Sequence, residues 1–107
     1  MKNLFADIPQ SLPDELSDVL VNSPHVRVER IVSTGQRSDE DFWYDQDEHE
    51  WVVVLKGNAT LQFKDDLELV DMKSGDCINI AAHRRHRIVW TTADEPTVWL
   101  AVFYNVD

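Results

Sequence analysis

The chain has 107 residues, and its 20 acidic against 10 basic side chains leave a net charge of −10. That length suits one domain hiding about two-thirds of its unfolded surface, and the charge repels phosphate backbones and anionic membranes, which argues against nucleic-acid and membrane partners. No apolar run approaches the roughly 20 residues that cross a bilayer, Met1–Pro9 lacks a signal-peptide core, and the single Cys77 cannot form an internal disulfide, so a cytoplasmic protein is expected.

The first element, Ser11–Leu20, predicts a short helix. Ser11 is placed to cap it, Pro13 and two acids occupy the first turn, and Leu12, Leu16, Val19 and Leu20 fall on one face. Pro24 bounds it, so residues 1–25 read as an N-terminal extension with a short helix and 26–107 as a single β-domain. From there the apolar period is two. Val26, Val28, Ile31 and Val32 predict a strand ending near Gly35, and Phe42-Trp43-Tyr44 is a second aromatic run. Trp51 to Leu55 is apolar at every position, which requires cover on both faces. The helix at Ser11 or a second copy of the chain would supply it, and a homodimer with a closed two-fold interface is expected. Ala59, Leu61 and Phe63 alternate with polar residues. Leu67 and Leu69, Ile78 and Ile80, Ile88 and Trp90, and Val98 to Tyr104 complete the strands. Cys77 reads as a small buried filler. About eight strands, with turns at Gly57, Asp65-Asp66, Gly75 and Asp94-Glu95-Pro96, predict an all-β antiparallel sandwich or barrel.

Alternate side chains of a strand share a face. Glu50 therefore sides with Val52 and Val54, and His86 with Ile88 and Trp90. If those sides face the interior, a carboxylate and an imidazole meet in an apolar cavity. An unpaired charge there would cost several kcal/mol, so Glu50 must be protonated, paired or on a metal. Tyr44 and Gln46, two apart, can join the same interior. The plainer alternatives are an exposed carboxylate in the acidic turn Asp45–Glu48 and a loop histidine among arginines. His83 stands three residues before His86 as a further ligand candidate, while His25 and His49 read as surface residues. Arg84, Arg85 and Arg87 either face solvent in alternation or pair with the acidic loop Asp39-Glu40-Asp41, or else clamp an anion at a pocket mouth. The sequence has no glycine-rich phosphate loop, no serine elbow and no Cys-x-x-Cys pair.

The spacings Glu50-x6-Gly57 and Gly75-x10-His86 resemble the two motifs of the cupin superfamily, small jelly-roll-like β-barrels, over residues 26–104. The second motif of that family reads Gly-x5-Pro-x-Gly-x-x-His, and here Ala81 takes the proline place and His83 the second glycine place. The resemblance implies a double-stranded antiparallel barrel in which Glu50 and His86 ligate a divalent metal. The first motif departs from the family, because Tyr44-Asp45-Gln46 stands where His-x-His is usual. The implied metal set is then Gln46, Glu50 and His86, an oxygen-rich and looser site for Fe²⁺, Mn²⁺, Ni²⁺ or Zn²⁺, with Tyr44, His83 and Trp90 as ligand-binding residues.

Three functions follow from these residues. The first is a metal-binding protein or metal-dependent enzyme holding a small oxygen-bearing ligand. The second is a metal-free epimerase or isomerase with His86 as base, Tyr44 as acid, and Arg84 or Arg87 gripping an anionic substrate. The third is a non-catalytic module binding a small molecule among Trp43, Trp90, Trp99 and Phe103.

Overall fold

The computed structural model describes residues 1–105, and within them eight strands and no helix. These are β1 (Leu16–Asn22), β2 (Val26–Ser33), β3 (His49–Lys56), β4 (Asn58–Phe63), β5 (Leu69–Lys73), β6 (Cys77–Ile80), β7 (His86–Thr91) and β8 (Thr97–Tyr104). Every pairing is antiparallel. One sheet has five strands in the order β1-β2-β8-β3-β6, and the other has three in the order β5-β4-β7. The two sheets enclose a single apolar core that includes Val52, Val54, Leu61, Phe63, Ile80, Trp99 and Phe103. The fold is therefore the all-β barrel that the alternation predicts.

The register fixes what each strand shows the interior. Glu50 lies opposite Phe103 and Ile80, Val52 opposite Ala101 and Ile78, and Val54 opposite Trp99. On the facing sheet, Phe63 pairs with His86 and Leu61 with Ile88. One step later Thr60 pairs with Trp90, so Val89 is an extra residue on β7. An added residue reverses the alternation beyond it. His86 and Ile88 consequently face inward while Trp90 is 47% exposed.

The helix expected at Ser11–Leu20 is instead an extended segment leading into β1. The apolar positions suit a helical stripe, but β2 would then present an unpaired edge whose N–H and C=O groups need partners. Pairing with that edge overrides local preference, with Leu16 against Val32 and Ser17 against Ile31. Val19 and Val21 stay exposed as a consequence. Before β1, the Leu12 N–H donates to Thr34 Oγ1, and Gln36 Nε2 donates to the Leu12 carbonyl. Arg30 holds the remainder of the N-terminus. Its buried guanidinium pairs with Asp18 and donates to the carbonyls of Leu4 and Ala6.

With no helix present, the outer face of β3 has Trp51, Val53 and Leu55 only half-buried. Cys77 is exposed on the same outward side of β6 rather than packed as filler, because it pairs with Val53 and not with an inward residue. Leu67, at φ 58° in the turn before β5, and Leu69 are likewise exposed.

The tight step from β3 to β4 depends on Gly57. Its φ is 99°, and a Cβ there would lie 2.7 Å from the Thr97 Cα. A side chain at this point meets both a left-handed backbone and the neighbouring strand. Gly57→Ala is expected to destabilise the fold by about 2 kcal/mol or more, read as a lower urea midpoint with unchanged slope. An unshifted midpoint would show that the turn relaxes freely.

Candidate functional site

A cavity of about 310 Å³ opens into the barrel between the two sheets. Its floor is apolar, formed by Val52, Leu61, Ile80, Ile88, Trp99 and Phe103. Its polar groups are Glu15, Ser17, Arg27, Glu29, Tyr44, Gln46, Glu50 and His86. The volume falls at the small end of ligand pockets, enough for one small molecule.

Glu50 and His86 are both buried and reach this cavity from opposite sheets. Their facing atoms, Glu50 Oε1 and His86 Nε2, are 3.6 Å apart, an ion-pair distance longer than a hydrogen bond. Gln46 Nε2 donates to the same carboxylate oxygen at 3.0 Å. The His86 Nδ1–H donates to the Arg84 carbonyl at 3.1 Å. A carbonyl can only accept, so Nδ1 carries a hydrogen, and Nε2 faces the cavity. Tyr44 stacks on His86 with ring centroids 5.4 Å apart, and the two residues exchange backbone hydrogen bonds at an isolated bridge. That bridge draws the loop carrying Tyr44 and Gln46 onto β7.

Glu15 is a functional candidate that a helical reading of its segment hides. It lies just before β1, accepts a hydrogen bond from Ser33 Oγ at 2.7 Å, and lines the cavity with Glu50. Burial raises the Glu15 carboxyl above its ordinary value, the Ser33 hydroxyl pulls it back, and the Glu50 carboxylate pushes it up. Tyr44 is also raised, by burial first and then by Glu15 and Glu50, so its phenol keeps its proton at neutral pH. Among the described residues, Arg27 is the only cation other than a histidine on the cavity wall. It is bound to Glu29 and to Glu48 and lies over the Phe103 ring at 4.3 Å.

The residues expected at the site divide cleanly. Tyr44, Gln46, Glu50 and His86 line one cavity, as do Trp99 and Phe103. Trp90 does not; beyond the Val89 bulge it borders a surface depression with Thr60 and Asp71. The His83 N–H donates to the Gln46 carbonyl at the mouth, but its ring is exposed beside Asp45 at 2.7 Å and Asp47 at 3.4 Å. His83 has φ 64°, the left-handed conformation a glycine adopts readily. Trp43 also lies outside, with the Lys64 and Arg87 charges over its ring. The arginines pair, though not with Asp39–Asp41. Arg84 binds Asp65 and Asp66, Arg85 faces Asp45, and Arg87 donates to Gln62. None of them clamps an anion at the cavity.

A divalent cation would meet two good donors here, the Glu50 carboxylate and His86 Nε2. Gln46 turns an amide N–H toward Glu50, and Tyr44 holds its phenolic proton. Among the described residues no group of three or more His, Cys, Asp or Glu side chains converges to hold a metal. This donor set does not fit tight binding of Fe²⁺, Mn²⁺, Ni²⁺ or Zn²⁺.

Residues 29–103 match the cupin domain family. Among solved structures, a candidate mannose-6-phosphate isomerase from Ralstonia eutropha JMP134 is 43% identical, with a TM-score of 0.96 and coverage of 99% of this chain and 98% of that one. A cupin superfamily protein from Desulfitobacterium hafniense DCB-2 is 19% identical with a TM-score of 0.75, covering 92% of this chain and 84% of that one. An RmlC-like cupin family protein from Methanocaldococcus jannaschii is 18% identical with a TM-score of 0.70, covering 92% and 87%. The last two likenesses show the fold alone. No curated protein matches the sequence.

Glu15 makes stability depend on pH. Because its folded value lies above the ordinary 4.5, the unfolded chain gives up this proton first as pH rises. Stability is therefore lost from about that pH upward until folded Glu15 also ionises, and the loss persists above. Glu15→Gln cannot ionise. Its Tm is expected to exceed that of the wild type at about pH 8 and to converge with it at about pH 4 in thermal scans. An offset unchanged by pH would show that burial does not govern this carboxyl.

Proposed function

The chain belongs to the cupin domain family, and from that premise we propose that its barrel binds one small hydroxylated molecule and moves a proton between neighbouring carbons of it. The reaction class is that of an isomerase. The observation that carries this reading is the Glu50–His86 pair, 3.6 Å apart and buried in a cavity of small-molecule size. The likeness to a candidate mannose-6-phosphate isomerase, at 43% identity over nearly the whole chain, supports the same class.

Each residue then has a part. His86 Nε2 takes the proton from the carbon beside a ligand carbonyl, its Nδ1–H held on the Arg84 carbonyl. The C–H electron pair moves into the carbon framework, and the negative charge develops on the carbonyl oxygen. The neutral Tyr44 phenol donates a hydrogen bond to that oxygen. The Glu50 carboxylate stabilises the imidazolium that forms, and Gln46 orients the carboxylate. Return of the proton to the former carbonyl carbon, as the neighbouring hydroxyl passes its own proton to the former carbonyl oxygen and becomes the new carbonyl, gives the isomer. Atoms and charge balance without a co-reactant.

A second reading keeps the cavity and drops the chemistry, leaving a module that binds its ligand against Trp99 and Phe103. Exchange into D₂O separates the two. Wild-type protein with a panel of aldoses and ketoses is expected to place deuterium at the exchanging carbon by NMR, with EDTA present. His86→Gln should slow this by about a hundredfold or more while leaving ligand binding in place. Binding without exchange would favour the module, and exchange abolished by EDTA would return the metal to the mechanism.

The homodimer is proposed on the outer face of the larger sheet. There Val21, Val28, Val102 and Trp51 form one row across β1, β2, β8 and β3, with Leu100 and Val53 beside it. Light scattering at micromolar concentration is expected to give twice the chain mass, and Val102→Glu to give the single mass. A wild-type monomer would refute the interface.

A further inference from the structure

Three glutamates, Glu15, Glu29 and Glu50, line the cavity against one arginine. That arginine, Arg27, is already bound by Glu29 inside the wall and by Glu48 beside it. Among the described residues no other lysine or arginine reaches the lining. The arginines around His86 in sequence point elsewhere, with Arg84 on Asp65, Arg85 toward Asp45 and Arg87 on Gln62. A phosphate dianion entering this space would find one cation already shared between two carboxylates, and like charges at short range. The same oxygens are good acceptors for ligand hydroxyls, and the floor of Trp99, Phe103, Leu61 and Ile88 offers an apolar wall to the C–H face of a sugar ring.

We infer that the barrel selects an uncharged, polyhydroxylated molecule of monosaccharide size over its phosphate ester, and that Glu15 and Glu29 enforce the choice. This rests on the proposed function and specifies its substrate class. Glu15, with Ser17 and Arg27, precedes residues 29–103, the part of the chain that the family accounts for. Of the two selecting carboxylates, Glu15 thus lies before that match and Glu29 at its first residue. The related protein from Ralstonia eutropha is ascribed a phosphorylated substrate; the wall charges here oppose one.

Calorimetric titration of the full chain with free hexoses and polyols, and in parallel with hexose 6-phosphates, tests the inference. The uncharged compounds are expected to bind at least about tenfold more tightly than the phosphates, a difference of about 1.4 kcal/mol. Glu29→Gln releases Arg27 from one of its two carboxylates and should narrow that ratio, and Glu15→Gln should narrow it as well. High salt should narrow the wild-type ratio as well, by screening the carboxylates, which keeps the test valid if a variant fails to fold. Tighter binding of the phosphates by the wild type overturns the inference and leaves the proposed function standing. Binding of neither class removes both. A wild-type preference unmoved by both salt and the variants overturns the assignment of the choice to Glu15 and Glu29.

Discussion

A carboxylate buried in a protein interior has to be answered by donors or by opposite charge, and Glu50 imposes that demand on the centre of this barrel. Its same-face neighbours on β3 are valines and the residues opposite it are Phe103 and Ile80, so no adjacent strand position gives it a polar partner. The answer comes from elsewhere in the chain. Gln46 donates from the loop before β3, and His86 approaches from the other sheet. The Tyr44–His86 bridge is what brings these two suppliers together, because it ties the Gln46 loop to β7. Closure of the barrel and solvation of one charge are therefore the same structural event. The pair is held at a separation that suits exchange of a proton with a ligand better than a permanent bond between the partners.

The alternation was enough to read most of this from the residues. Glu50 follows its strand mates inward because β3 is regular across the site, and the pairing of β3 with β8 slips only after Val54. His86 is inward for the same reason on β7. Trp90 shows where the reading ends, since one inserted residue at Val89 reverses every later side chain and no composition signal marks it. Ser11–Leu20 fails for a different reason. Its pattern satisfies a helix locally, and only the open edge of β2, formed by residues far along the chain, decides otherwise. Glu15 was lost with that error, because a carboxylate in the first turn of a surface helix needs no explanation. The arginine run was legible in its tendency to pair but not in its partners. Asp45, Asp65 and Asp66 are brought to it by loop folding rather than by spacing.

The substitution of His-x-His by Tyr44-Asp45-Gln46 has a consistent structural consequence. A metal would have needed lone pairs converging on one point, whereas Tyr44 and Gln46 both present hydrogens to the cavity. Donors of that kind suit a carboxylate, and they suit the oxyanion of a ligand. The polar wall is completed from the opposite side by Glu15 and by the Arg27–Glu29 pair, on β1 and β2 or adjoining them. Those strands are the ones whose register is set by each other and by β8, so the chemistry of that wall is fixed by edge pairing rather than by the two motifs.

That division explains how one barrel can keep its motif glutamate and histidine and still change its ligand. Glu50 is placed by β3 inside the larger sheet, and His86 by β7, which pairs with β4 and is tied to the Tyr44 loop. The wall that meets the rest of the ligand is carried by β2, by the edge strand β1 and by the segment leading into it, and substitutions in the edge strand and that segment disturb fewer packed neighbours. A carboxyl there is tolerated because Ser33 donates to it, although burial opposes its charge. The cost is a fold that loses stability as the carboxyl proton leaves. On the proposed function, a residue kept on such terms, facing the same cavity as Glu50 and His86, acts on a bound molecule rather than on the barrel.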